Sequence, residues 1–184
     1  MKKVLVLLAE GFEEIEAVTP VIILRRAEVD VTIAGIDVIE VKGARGVVYK
    51  ADILLKDAPV DSFDAVVLPG GMPGAENLAA SSAVNDLLLH MNKNGKLIAA
   101  ICAAPAVILA PLGLLDGRTA TCYPGCQDGF SEKTVYSEEN AVIDDNIITS
   151  RGAGTAVDFS LAVLEYLTDR KTAQGIGWTI CYGR

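Results

Sequence analysis

The sequence predicts an α/β fold in which helices cover both faces of a mostly parallel β-sheet, and three observations point to it. Strand-length apolar runs alternate with stretches of helical spacing, beginning with Lys3–Leu8 and Glu13–Glu28. The strand-like runs are continuously apolar rather than alternating, the mark of strands buried on both faces. The 51% hydrophobic fraction comes mainly from Ala, Val, Ile and Leu, with 5% aromatics, a mixture suited to layered α/β packing. At 184 residues the chain suits one compact domain over 1–184 and can bury a core without staples.

Lys3–Leu8 reads as the first buried strand, ending in the turn Ala9-Glu10-Gly11-Phe12. Its start looks like a secretory leader, but the apolar run is short and Glu10, Glu13, Glu14 and Glu16 follow at once. Helical spacing over Glu13–Glu28 turns Ile15, Val18, Ile22 and Ile23 inward, with a kink expected at Pro20. Val29–Gly35 is the second strand, parallel to the first through a right-handed crossover. Val38–Val41, Val47–Lys50 and Ile53–Leu55 then form a hairpin or side ladder around Gly43 and Gly46. Asp64–Leu68 is a buried strand running into Pro69-Gly70-Gly71, and Ala75–Asn92 is a helix broken near Ser81-Ser82.

Lys96–Ile101 is the next strand. A helix over Ala103–Leu112 begins with no loop between, so Cys102 falls on a sharp strand-to-helix turn. Arg118–Cys122, Val135–Ser137, Ala141–Ile143 and Ile147–Ser150 are short strands, the last two joined by an Asp144-Asp145-Asn146 turn. Thr155–Leu167 is an amphipathic helix, and Lys171–Tyr182 is a final helix weakened by Gly175 and Gly177.

A net charge of −8 argues against dedicated nucleic-acid or anionic-membrane binding. No run reaches the length of a transmembrane helix. Four cysteines, at 102, 122, 126 and 181, form no regular framework, as expected of reduced thiols in the cytoplasm. Cys122 and Cys126 lack the partners of a metal site. The single histidine, His90, sits in a helix away from the strand ends, which argues against a Cys-His dyad.

In a parallel sheet, ligands sit beyond the carboxyl ends of the strands. Three such ends carry chemistry here: Glu10–Glu16, Pro69-Gly70-Gly71 and Cys102-Ala103. Free cysteine is ordinarily a small buried hydrophobe, but at an elbow Cys102 would stand exposed as a nucleophile. Acidic residues favour helix N-termini, which suffices for Glu13 and Glu14. Glu16 lies beyond the first turn near the apolar face, where desolvation would raise its pKa. Gly70 and Gly71 can be an ordinary turn, or one that offers backbone N–H groups to an oxyanion together with Ala103.

Taken together, Ala9-Glu-Gly-Phe-Glu-Glu-Ile-Glu-Ala17, Val67-Leu-Pro-Gly-Gly71, Ala99-Ala-Ile-Cys-Ala-Ala-Pro105 and Thr149-Ser-Arg-Gly-Ala-Gly-Thr155 resemble the DJ-one/ThiJ/PfpI superfamily. The resemblance implies a flavodoxin-like three-layer sandwich with a cysteine nucleophile elbow. Ala103, where the protease branch has His, places the resemblance with the DJ-one branch and its bacterial members. It implies Cys102 as nucleophile, Glu16 as its carboxyl partner, and Gly71 and Ala103 as backbone donors. Glu13, Gly70 and Tyr123 would support the pocket, and Tyr123 stands where some members have a histidine. Arg26 and Arg45 match positions near the family's dimer interface and imply a homodimer.

The leading expectation is a cofactor-free, metal-free cysteine enzyme acting on reactive 2-oxoaldehydes or glycated adducts, as a glyoxalase or deglycase. The nearby helix N-terminus is expected to favour the Cys102 thiolate. One alternative is an oxidative-stress sensor or chaperone whose Cys102 oxidises to sulfinate. A cysteine peptidase or amidase is the other.

Overall fold

The computed structural model describes residues 1–183. Its main sheet contains β1 (Lys3–Leu8), β2 (Asp30–Gly35), β5 (Ile53–Leu54), β6 (Ala65–Leu68), β7 (Leu97–Ile101), β10 (Ala141–Asp144) and β11 (Ile147–Ser150). The strand order is β10-β11-β7-β6-β1-β2-β5. Every neighbouring pair is parallel except β10 with β11, a hairpin that closes one edge. Two small ladders lie outside it: β3 (Glu40–Lys42) with β4 (Val48–Lys50), and β8 (Thr119–Ala120) with β9 (Val135–Tyr136).

Side-chain alternation along the central strands divides the core in two. Val4, Val6 and Leu8 of β1, with Ala99 and Ile101 of β7, face α1 (Glu14–Arg26) and α4 (Ala156–Leu167). Leu5 and Leu7, with Ile98 and Ala100, face the other layer, α2 (Gly74–Ala80), α3 (Ser82–Lys93) and the segment through Leu109. Strands apolar on both faces are thus buried on both faces, as the continuous runs required. The result is the flavodoxin-like three-layer sandwich. The last helix, α5 (Arg170–Thr179), packs on α4.

Two local expectations are corrected. Ile15 and Ile22 are 54% and 49% exposed, not inward-facing. The buried stripe of α1 is Glu16, Ala17, Pro20, Val21, Ile23 and Leu24. Its helical spacing includes a carboxylate, so a reading by apolar residues alone sets the face one step off. The helix runs unbroken through Pro20.

The segment after Cys102 is not an α-helix over Ala103–Leu112. It is a short π-helical stretch, Pro105–Leu109, with the Ala110 N–H bonded to the Pro105 carbonyl at 3.0 Å. Pro111 removes the next donor and crowds the carbonyl four residues back, which favours the wider turn.

Candidate active site

Because β1, β6 and β7 are adjacent and parallel, Leu8, Leu68 and Ile101 end at the same edge of the sheet. The loops after them form one cleft of about 530 Å³, whose walls include Glu13, Glu16, Gly71, Cys102, Ala103 and Tyr123.

Cys102 has φ of +66°, in the left-handed region that costs a non-glycine residue of order 1–3 kcal/mol. Hydrogen bonds on both sides hold it there. Its N–H donates to the Ser150 carbonyl at 2.9 Å, and its carbonyl accepts from the Tyr123 N–H at 2.8 Å. The half-buried side chain is therefore aimed by neighbouring strand ends and not by a long helix. The backbone N–H groups of Gly71 and Ala103 both address its sulfur.

The three acidic residues at the start of α1 separate by position. Glu13 is the N-cap, its carboxylate accepting the Glu16 N–H at 2.8 Å. Glu14 turns to the β3–β4 hairpin, where Oε1 accepts the Arg45 N–H at 2.7 Å and the Val47 N–H at 3.3 Å. Glu16 turns inward, 1% exposed, beside the Cys102 thiol, and its Oε2 accepts the Gly70 N–H at 2.9 Å.

The Gly70-Gly71 turn allows this closeness. A Cβ on Gly70 would lie 2.6 Å from the Cys102 Cβ and 2.8 Å from Glu16 Oε2. Gly71 has φ of +86°, and a Cβ there would collide with the backbone of Gly11 to Glu13.

Burial raises the Glu16 carboxyl from its ordinary 4.5 to about 7, against the lowering effect of hydrogen bonds from Cys102 and Gly70. Burial also pushes the Cys102 thiol up to about 12, helped by the adjacent Glu16 charge and opposed by the Gly71 and Ala103 N–H groups. Two acids this close and this buried do not both carry charge, so the thiolate expected beside a helix N-terminus competes with the Glu16 carboxylate for a single negative charge. Near neutral pH the pair holds one readily transferable proton, titrating as a unit.

Sequence reasoning missed two participants. The Ala153 N–H also bonds Glu16, from a turn in the Thr149–Thr155 motif. Arg45, read as an interface residue, lines the cleft itself. Arg26 lies exposed in the last turn of α1, outside the cleft. The ring of Tyr123 is half-exposed at the rim, and its backbone holds the elbow. His90 pairs with Asp61 at 2.9 Å and is not among the cleft residues. Cys126 lines the cleft wall, whereas Cys122 is buried.

Parallel strands ending in a strained cysteine elbow, with a buried carboxyl against the thiol, define an α/β protein of the cysteine-elbow class. The chain belongs to the DJ-1/PfpI family, whose model matches residues 2–166. It is 42% identical to Protein DJ-1 homolog A of Arabidopsis thaliana over 95% of this chain, but spans only 45% of that longer protein. It is 37% identical to a Caenorhabditis elegans protein named glutathione-independent glyoxalase DJR-1.2, covering 100% of this chain and 98% of that one. The structure of oxidized Toxoplasma gondii DJ-1 superposes with a TM-score of 0.96 at 39% identity, covering 100% of both chains. No helix among the described residues is long and apolar enough to cross a membrane.

Proposed function

We propose that the protein is a cofactor-free glyoxalase or deglycase that converts 2-oxoaldehydes, free or as glycated adducts, to hydroxyacids through Cys102 and Glu16. The observation that carries this reading is the Glu16 carboxyl, buried against the Cys102 thiol with a pKa near 7. A base of that strength at neutral pH suits a group that must both take and return a proton. The name of the nematode relative agrees with the reading.

In the proposed reaction, Glu16 takes the thiol proton as sulfur attacks the aldehyde carbon, so no standing thiolate is required. The Gly71 and Ala103 N–H groups stabilise the oxyanion of the hemithioacetal. Glu16 returns the thiol proton to that oxyanion and, as a base again, carries the carbon-bound proton of the former aldehyde to the neighbouring carbonyl carbon by way of an enediol, leaving a thioester. Water hydrolyses the thioester, so methylglyoxal and one water give lactate. Lactate should accumulate when the purified protein meets methylglyoxal in thiol-free buffer; no lactate above the uncatalysed rate would refute the reading.

The same proposal includes a homodimer. Ile15 and Ile22 on α1 and Val47 and Val48 at the hairpin are each about half-exposed, more apolar surface than scattered solvent-facing residues require. Sedimentation should give the mass of two chains, and Ile22→Glu should shift it toward one. A monomeric parent protein would contradict the assignment.

A further inference from the structure

Two of the four cysteines share one cavity. Cys126 lines the wall of the same cleft as Cys102. Among the described residues the other two thiols do not reach it: Cys122 is buried, and Cys181 is exposed just past the last helix. A free cysteine ordinarily settles as a small buried hydrophobe. Cys126 is instead only partly buried, on the wall of a cavity that holds a nucleophile.

The backbone links the two thiols through one residue. The Cys102 carbonyl accepts the Tyr123 N–H at 2.8 Å, and the Tyr123 carbonyl accepts the Cys126 N–H at 2.9 Å. The second bond closes a β-turn with Pro124 at its second position and Gly125, φ +95°, at its third, the pattern of a type II turn. Such a turn holds the Cα atoms of its end residues within about 7 Å. Cys126 is thus placed by a residue that is itself bonded to the elbow. A disulfide needs Cα atoms roughly 4.4–6.8 Å apart, and the turn is the side able to adjust. Tyr123, Pro124 and Gly125 are exposed, and a Cβ on Gly125 would meet nothing within 4 Å. The elbow, by contrast, is held on both sides by its bonds to Ser150 and Tyr123.

The two thiols differ in reactivity. Cys102 has the Glu16 carboxyl beside it to take its proton, and the Gly71 and Ala103 N–H groups address its sulfur. Cys126 has burial alone, which raises its pKa. It is therefore the slower thiol toward an oxidant and the one left to react second.

We infer that Cys102 and Cys126 are a disulfide-forming pair, in which a peroxide oxidises Cys102 to the sulfenic acid and Cys126 resolves it. The Cys102 sulfur attacks one peroxide oxygen as Glu16 takes the thiol proton. The O–O bond breaks, and the departing oxygen leaves as water with the proton that Glu16 returns. The Cys126 sulfur then attacks the Cys102 sulfur, the S–O bond breaks, and the released hydroxide takes the Cys126 proton. Each thiol gives up one hydrogen and one electron, and hydrogen peroxide becomes two waters. Without Cys126 the sulfenic acid meets a second peroxide and becomes the sulfinic acid, which thiols do not reverse. Neither step needs an aldehyde, so the pair does not depend on the reaction proposed above.

Peptide mapping by mass spectrometry under non-reducing conditions tests the pair. The reduced protein, exchanged out of thiol, is treated with a small excess of hydrogen peroxide. The parent chain should yield a Cys102–Cys126 linked peptide, lighter by two hydrogens than the sum of its parts and separated by dithiothreitol. Cys126→Ser should lose that linkage and gain two oxygens on Cys102, which dithiothreitol does not remove. Cys126→Ala should behave the same way, with circular dichroism checking that each variant is folded. Cys122→Ala should keep the linkage, because Cys122 is closed off from solvent.

Sulfinic acid at Cys102 of the parent chain without the linked peptide, or a linkage of Cys126 to Cys122 in its place, would overturn the pair. In turnover, peroxide should abolish methylglyoxal consumption, and dithiothreitol should restore it in the parent protein but not in Cys126→Ser. A parent protein inert toward methylglyoxal would refute the glyoxalase reading, while the linked peptide still decides the role of Cys126.

Discussion

Cys102→Ser and Glu16→Gln should each reduce methylglyoxal turnover by at least roughly 10³-fold, with the fold retained. For Cys102 the reason is direct, since a serine hydroxyl beside a base of pKa near 7 is far less nucleophilic than sulfur. For Glu16 it is the double demand on one group. Positioned acid–base catalysis contributes about 10²–10⁴-fold per transfer, and here the same carboxyl serves both thiol and carbon. No imidazole can substitute, because His90 is held by Asp61 outside the cleft. The glutamine keeps an oxygen to accept the Gly70 N–H, so loss of activity cannot be put down to a broken turn. Steady-state lactate assays with matched circular dichroism check this. Near-parent rates in Glu16→Gln would remove Glu16 from the mechanism.

The second large effect is on stability. Glu16 ionises near 4.5 when unfolded and near 7 when buried in the fold. Between those values the folded protein binds more protons than the unfolded chain, so stability falls as pH rises through that window. The full change corresponds to about 3 kcal/mol, taking each pKa unit as about 1.4 kcal/mol. Urea unfolding at pH 5 and pH 7.5 should therefore show a less stable protein at the higher pH. Glu16→Gln, with nothing to ionise, should lose most of that difference. An unchanged pH dependence in the variant would place Glu16 in a less buried setting than the one described.

Much of this was legible in the residues because the relevant signals are local. The apolar runs gave β1, β6, β7 and β11, and a parallel sheet then required their ends to meet. Cys102, Glu16 and Gly70-Gly71 lie at or just beyond those ends, the family resemblance implied their roles, and the structure brings all of them together at one cleft. Three features were not legible, each because it depends on contacts distant in sequence. Arg45 reaches the cleft through a bond to Glu14 across 31 positions. The Ala153 N–H meets Glu16 only after β11 has joined β7. The thiol's proton affinity depends on its burial against Glu16, which the position of Cys102 before a helix does not reveal. That helix is also a π-helical stretch over Pro105–Leu109 and not the α-helix expected.

The pairing of Cys102 with Glu16 is tested most directly by the rate of Cys102 alkylation by iodoacetamide as a function of pH. In the parent protein the rate should rise through an inflection near pH 7, where the coupled pair loses its first proton. In Glu16→Gln that inflection should vanish, leaving only a rise at higher pH imposed by burial. An inflection near pH 7 that survives in Glu16→Gln would contradict the pairing and assign the proton to some other group.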